Sequence, residues 1–234
     1  MHIPDGFLST STWVSAWLLS IGGVGYSLKR TARVMKDRMI PMMGVMSAFI
    51  FAAQMVNFPV MGGTSGHLIG GVLAAVFLGP FAGAIVLTCV LVVQCLIFQD
   101  GGLTAMGANI FNMAIVGTMG GYLLYKGISL LMPSRKGIMV ATAIASWFSV
   151  FAAAAVCAVE LAISGTSPFA IVLPAMAGVH AIIGIGEAII TTMVVGFVLK
   201  VRPDLIYGQA FLPSDGPSSP YHGLSGGMPE EGKS

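Results

Sequence analysis

Hydrophobic positions along this chain fall into long apolar runs parted by short polar breaks. A helix crossing roughly 30 Å of hydrocarbon needs about 20 residues. Runs of that kind are read near 12–28, 39–58, 80–98, 105–125, 137–163 and 180–200. The segment 67–79 is harder to place. Its roughly 13 residues would rise only about 20 Å as a helix, and Gly79-Pro80 then leads directly into the next run. Either 67–98 is one long span or Gly79-Pro80 is a tight turn between two.

The basic residues decide between these readings. With the turn there are seven spans, the N-terminus lies outside and the C-terminus is cytoplasmic. Lys29, Arg30, Arg33, Lys36, Arg38, Lys126, Arg135, Lys136, Lys200, Arg202 and Lys233 then all lie on the cytoplasmic side. With one long span, every basic residue after Arg38 falls on the other face. Positive charge collects on the inner side of membrane proteins, so seven spans are expected, one of them short. The expectation is an all-α polytopic membrane protein. Residues 1–202 form its integral-membrane domain. Residues 203–234 carry Pro213, Pro217, Pro220, Gly226, Gly227, Pro229, Glu230 and Glu231 and read as a cytoplasmic, largely disordered tail, with His222 solvated.

Composition agrees. Of 234 residues, 56% are hydrophobic and 9% charged, against about 25% charged in soluble domains, and the mean hydropathy is +0.90. Cys89, Cys95 and Cys157 all sit in apolar runs without a CxxC pair, as small buried hydrophobes do. No basic stripe interleaved with aromatics points to nucleic acid. The N-terminus carries Asp5 and no Lys or Arg before Lys29, unlike the positive start of a cleaved signal peptide.

That N-terminus carries the candidate chemistry. In Met1-His2-Ile3-Pro4-Asp5-Gly6, the α-amine of Met1, the backbone nitrogen of His2 and the near ring nitrogen of His2 can close two fused chelate rings around one ion. Tetragonal nitrogen sites favour Ni(II) or Cu(II). One planar position stays open, and His67, closing Gly62-Gly63-Thr64-Ser65-Gly66-His67, is the candidate for it. The chelate requires that Met1 be retained with a free amine, as expected when the second residue is as large as histidine. In the seven-span arrangement Met1, His2, Asp5, the 59–67 loop, Asp100 and the 164–178 loop all face outward, so both histidines meet an arriving ion.

Other polar residues read more plainly. The glycine-rich loop lacks a Walker lysine and follows no strand, so it is no phosphate cradle. Non-helical backbone at membrane depth is tolerated inside protein or around a cavity, which fits a buried site near the outer face. Glu187 follows His180 by seven residues on one helix face. The two either bond each other or make a second polar site. Glu160 and Asp100 lie near span ends. Asn57, Asn109, Asn112, Gln54 and Gln94 either support a site or tie helices together. Gly79-xxx-Gly83, Gly117-xxx-Gly121 and Ala48-xxx-Ala52 allow close helix approach.

The start MHIPDGFLS, the GGTSGHLIGG segment and the span count together resemble the CbiM/NikM family, from Met1 to about Arg202. Members are substrate-binding membrane subunits of energy-coupling-factor (ECF) transporters for nickel and cobalt. The resemblance implies a six-helix core extended by an extra N-terminal helix that threads the N-terminus into the outer pocket. It implies Ni(II) or Co(II) held in near-planar geometry by the Met1 amine, the His2 backbone and ring nitrogens, and the His67 ring. It further implies a prokaryotic cell-membrane location and no ATP hydrolysis by the subunit itself. The implied partners are a transmembrane coupling subunit, two ATPase subunits and a small accessory membrane subunit. Ala48 and Ala52 would lie on the surface that docks the coupling subunit. Two other classes were weighed. A membrane metalloenzyme would need an HExxH-like pair, which is missing from the sequence. A stand-alone ion-coupled carrier would draw on His180 and Glu187, but carriers often show repeated halves and none is evident.

Overall fold

The computed structural model describes residues 1–60 and 64–207. Gly62 and Gly63 of the glycine-rich stretch, and the tail from 208 onward with His222, lie outside the described residues.

Among the described residues, seven helical rods make up the body: α1 (Thr10–Ala32), α2 (Met39–Gln54), α3 (Gly71–Leu78), α4 (Pro80–Phe98), α5 (Met106–Leu131), α6 (Arg135–Ile163) and α7 (Phe169–Val201). Of these, α4, α5, α6 and α7 are long and apolar enough to cross a membrane, and α2 is a shorter apolar helix. Because α3 is so short, its backbone cannot span on its own. Every residue of α3 is instead buried, a helix sealed within the bundle. Between α3 and α4 the chain turns at Gly79, whose φ of 85° suits a residue without Cβ. Pro80 then opens α4, where its missing N–H costs nothing.

Several boundaries differ from the sequence expectation. The run read as 39–58 stops being helical at Gln54. The last helix begins at Phe169 and runs through Pro174, so the expected 164–178 loop narrows to 164–168. One element departs from an all-helical fold. Phe58–Val60 (β1) and Thr64–Gly66 (β2) pair antiparallel, with Phe58 opposite Gly66 and Val60 opposite Thr64. The ladder satisfies the backbone of the largely buried β2 strand, whereas Phe58 and Pro59 of β1 are exposed.

Within α5 the turns of Phe111–Gly120 widen to π geometry, and the Thr118 hydroxyl donates to the Met113 carbonyl at 2.9 Å. Such widened turns recur at functional sites, and here they follow Asn109 and contain Asn112. The first helix joins α5 through small polar contacts: Ser20 donates to the Gly107 carbonyl at 2.6 Å. Its opposite face leaves Leu18, Leu19 and Ile21 exposed.

The bundle has two unlike ends. One gathers residues 1–8, 55–60, 64–67, 99–105 and 164–168, where Thr166 donates to the Phe7 carbonyl and Leu103 to Asp5. The other carries Arg33, Lys36 and Arg38 around a cleft shared with Phe77 and Tyr207. There a short 3-10 turn (Pro203–Leu205) is followed by Tyr207, whose N–H donates to the Val76 carbonyl at 2.8 Å.

Candidate metal centre

The N-terminal residues are drawn into the bundle rather than left in solvent. Met1 and Ile3 are fully buried, and His2 is 4% exposed. Three tethers hold them. Ile3 N–H donates to Asn109 Oδ1 at 2.8 Å, and Asn109 Nδ2 donates to the Ile3 carbonyl at 3.2 Å. Gly102 N–H adds a second donor to that carbonyl at 2.8 Å. Asp5 accepts from Leu103 N–H, Thr104 N–H and the Thr104 hydroxyl, at 3.0, 2.7 and 2.5 Å. These bonds hold the Asp5 carboxyl below its usual range. A Cβ on Gly102 would stand 2.2 Å from the Asp5 nitrogen, so only glycine lets the strand lie this close.

The Met1 amine donates to the Ser65 carbonyl and, at 3.1 Å, to its hydroxyl; His2 N–H reaches the same hydroxyl at 3.1 Å. The segment ending in His67 therefore lies directly against residues 1 and 2. The His2 and His67 rings stack with centroids 4.6 Å apart.

His2 Nε2 lies 3.1 Å from Gln94 Oε1, and His2 Nδ1 lies 3.3 Å from the Asp100 carboxylate and 3.4 Å from the Ser65 hydroxyl, so a cation at Nδ1 would have the carboxylate beside it. His67 Nδ1 lies 2.7 Å from the Leu68 carbonyl and so carries its hydrogen, leaving Nε2 bare. Among the described residues that buried Nε2 has no hydrogen-bond partner. Fixing one ring nitrogen through an outer partner is how proteins prepare the other as a ligand.

Burial also strips the protons. The Met1 amine is lowered from 8.0 to about 5, chiefly by desolvation, with the Asp100 charge opposing. Burial lowers His2 from 6.5 to about 3, and the neighbouring amine charge adds to the effect despite the nearby carboxylate. Both groups are neutral electron-pair donors at pH 7. Among the described residues no three His, Cys, Asp or Glu side chains converge as a metal cluster, so an ion here would draw on the amine and backbone nitrogen as well.

A family match covers nearly all of this structure. The family described as "Cobalt uptake substrate-specific transmembrane region" (CbiM) matches residues 2–205. The chain belongs to the CbiM family. Among its relatives is a putative fused nickel transport protein NikMN of Archaeoglobus fulgidus, 42% identical over 212 residues, covering 90% of this chain and 69% of that one. A putative cobalt transport protein CbiM 2 of Methanocorpusculum labreanum is 33% identical, covering 88% and 92%. A crystal structure of a truncated transition metal transporter superposes with a TM-score of 0.79 at 35% identity, over 86% of this chain and 99% of that one. The chain is thus a membrane transport protein of the CbiM type.

The structure gathers Met1, His2 and His67 at one point. Asp100 and Gln94, given plain readings from sequence, both contact the His2 ring. His180 and Glu187 do not bond each other. His180 Nδ1 donates to the Met176 carbonyl at 2.8 Å, and the Glu187 carboxylate accepts from Ile69 and Gly70 N–H. Glu160 is buried rather than interfacial and accepts from Asn112 Nδ2 at 2.6 Å. Ala48 and Ala52 are exposed on α2. Nothing in the spacing of Gln94 or Asp100 pointed to His2. The cue available was that Gln94 is polar in an otherwise apolar run.

Proposed function

We propose that the protein is the substrate-specific membrane subunit of an ECF-type, ATP-driven importer of Ni(II) or Co(II). The ion is bound at the outer face by the Met1 amine, the His2 backbone nitrogen, His2 Nδ1 and His67 Nε2. The observation that carries this reading is the buried meeting of the Met1 amine with the His2 ring and with His67, whose Nδ1 bonds the Leu68 carbonyl and whose buried Nε2 has no partner among the described residues. Four nitrogens, one a deprotonated amide, make the strong donor set that suits a tetragonal late transition metal. Entry from outside is the reading that places the N-terminus outside and the basic residues inside. The basic cleft at the opposite end of the bundle agrees with that orientation.

The subunit itself hydrolyses nothing. Its partners are a transmembrane coupling subunit, two ATPase subunits and a small accessory membrane subunit in a multi-pass cell-membrane complex. The fused relative named NikMN supports pairing with a further component. Nickel leads because a deprotonated amide with amine and imidazoles favours square-planar Ni(II). Cobalt, for cobalamin synthesis, is the second reading, supported by the relatives named for cobalt transport. The test is metal analysis of the purified protein with its native N-terminus, followed by uptake into liposomes with and without the coupling and ATPase subunits. One Ni(II) or Co(II) per chain, and uptake only with ATP and partners, is expected. Metal-free protein under saturating metal, or uptake by this chain alone, would overturn it.

A further inference from the structure

We propose that Glu187 is a positioning residue for His67, acting through the backbone that joins them; this rests on the metal-binding reading above. Glu187 projects from the middle of α7 and is 2% exposed. Its Oε2 accepts from Ile69 N–H at 2.5 Å and its Oε1 from Gly70 N–H at 2.9 Å. A carboxylate held this deep costs several kcal/mol of desolvation unless its oxygens are well paired. Neither of its partners is a cation; both are amides of the segment that follows His67.

The route to the histidine is one peptide plane long. The Leu68 carbonyl accepts the His67 Nδ1 hydrogen at 2.7 Å, and the amide at the other end of that same peptide unit is Ile69 N–H, which Glu187 holds. The next peptide unit is held at both ends as well. Its carbonyl, on Ile69, accepts from Gln54 Nε2 at 2.7 Å, and its amide, on Gly70, is the second donor to Glu187. Two successive peptide planes are thus held by α7 on the amide side, and the second is held by α2 on the carbonyl side as well.

The consequence for His67 is twofold. The Leu68 carbonyl is fixed in direction, so the ring is held stacked beside that of His2 with its Nε2 buried and without a partner among the described residues. A peptide unit donating to a carboxylate is also polarised, which strengthens its carbonyl as an acceptor and makes the imidazole more basic at Nε2. Sequence gave no reason to join Glu187 to His67, which are 120 positions apart; its expected partner was His180 on its own helix.

The experiment is a double-mutant cycle on full-length protein with its native N-terminus, titrated with Ni(II) alone at one pH. Glu187→Gln keeps the shape, removes the charge and leaves one good acceptor for two amides. It should weaken Ni(II) binding about 10- to 100-fold, as loss of an outer partner of a ligand does. The visible band of bound Ni(II) should move toward that of His67→Ala. In a His67→Ala background the same substitution should change affinity by less than about twofold, because its effect runs through the missing ring. Gln54→Leu, which cuts the other tether, is read by the same cycle and answers the question if Glu187→Gln is not recovered folded. An effect equal in both backgrounds, or wild-type affinity and spectrum in Glu187→Gln, overturns the positioning role while leaving metal binding intact. No binding by wild type or any variant overturns the reading on which it rests, and this inference with it.

Discussion

The folded protein should bind Ni(II) with a pH dependence about one proton steep, where a free peptide of residues 1–5 is nearly twice as steep. Burial takes the Met1 amine from 8.0 to about 5 and His2 from 6.5 to about 3. A cationic acid whose pKa falls on folding has already lost its proton at neutral pH, so metal has no proton to displace there. At pH 6 an amine of ordinary pKa is free only about 1% of the time, and an ordinary imidazole about a quarter. Folding therefore removes roughly 400-fold of proton competition at that pH, on the order of 3–4 kcal/mol. What remains is the His2 amide proton, held at every working pH and released on binding. Between pH 6 and 8 the protein should gain about 100-fold in affinity and the peptide about 10⁴-fold. Competition against a chelator of known affinity at pH 6, 7 and 8 reads both slopes. A protein slope near two would mean that the amine still carries its proton in the fold. A slope near zero would remove the His2 amide from the ligand set.

Two substitutions extend the test. His67→Ala should weaken Ni(II) binding about a hundredfold, on the order of 3 kcal/mol, because the N-terminal chelate survives, and His2→Ala should be worse; calorimetry at fixed pH reads the order, and equal affinity for wild type and His67→Ala would take His67 out of the site. Ala48→Trp, on the exposed side of α2, should leave expression and metal content within about twofold of wild type, as surface changes do, while abolishing co-purification with the coupling subunit. Loss of metal content along with expression would place Ala48 in the core instead, and retained partner binding would reject the docking surface.

The long helices were legible because their apolar runs outlast any soluble core helix, and Gly79-Pro80 was legible because few other residue pairs turn so sharply. Two features hid the rest. Pro174 reads as a stop, yet α7 continues through it, since neighbouring helices can accommodate a proline within the membrane. The β1–β2 ladder is three residues per strand, too short for alternation to register against the apolar background. For the site, Met1 and His2 were legible because chelation is local chemistry, fixed by bonds rather than by folding. His67 was singled out by its place at the end of the glycine-rich run, on the same expected side as the N-terminus. Gln94, Asp100, Asn109 and Glu187 act across 92 to 118 residues. Each is a single polar residue whose partner is set by helix packing, and no spacing rule on one strand of sequence reaches that far.

The central claim is that the α-amine of Met1 is a metal ligand, and moving that amine out of reach by a four-residue extension tests it most directly. Protein with its native N-terminus and a C-terminal tag should bind one Ni(II) per chain, yellow and silent by electron paramagnetic resonance, as square-planar Ni(II) is. The same protein with Gly-Ser-Gly-Ser before Met1 carries its free amine four residues away and leaves a peptide nitrogen inside a pocket where Met1 is fully buried. It should lose high-affinity binding and the yellow band together. One tightly bound Ni(II) with an unchanged spectrum in the extended protein would contradict the account.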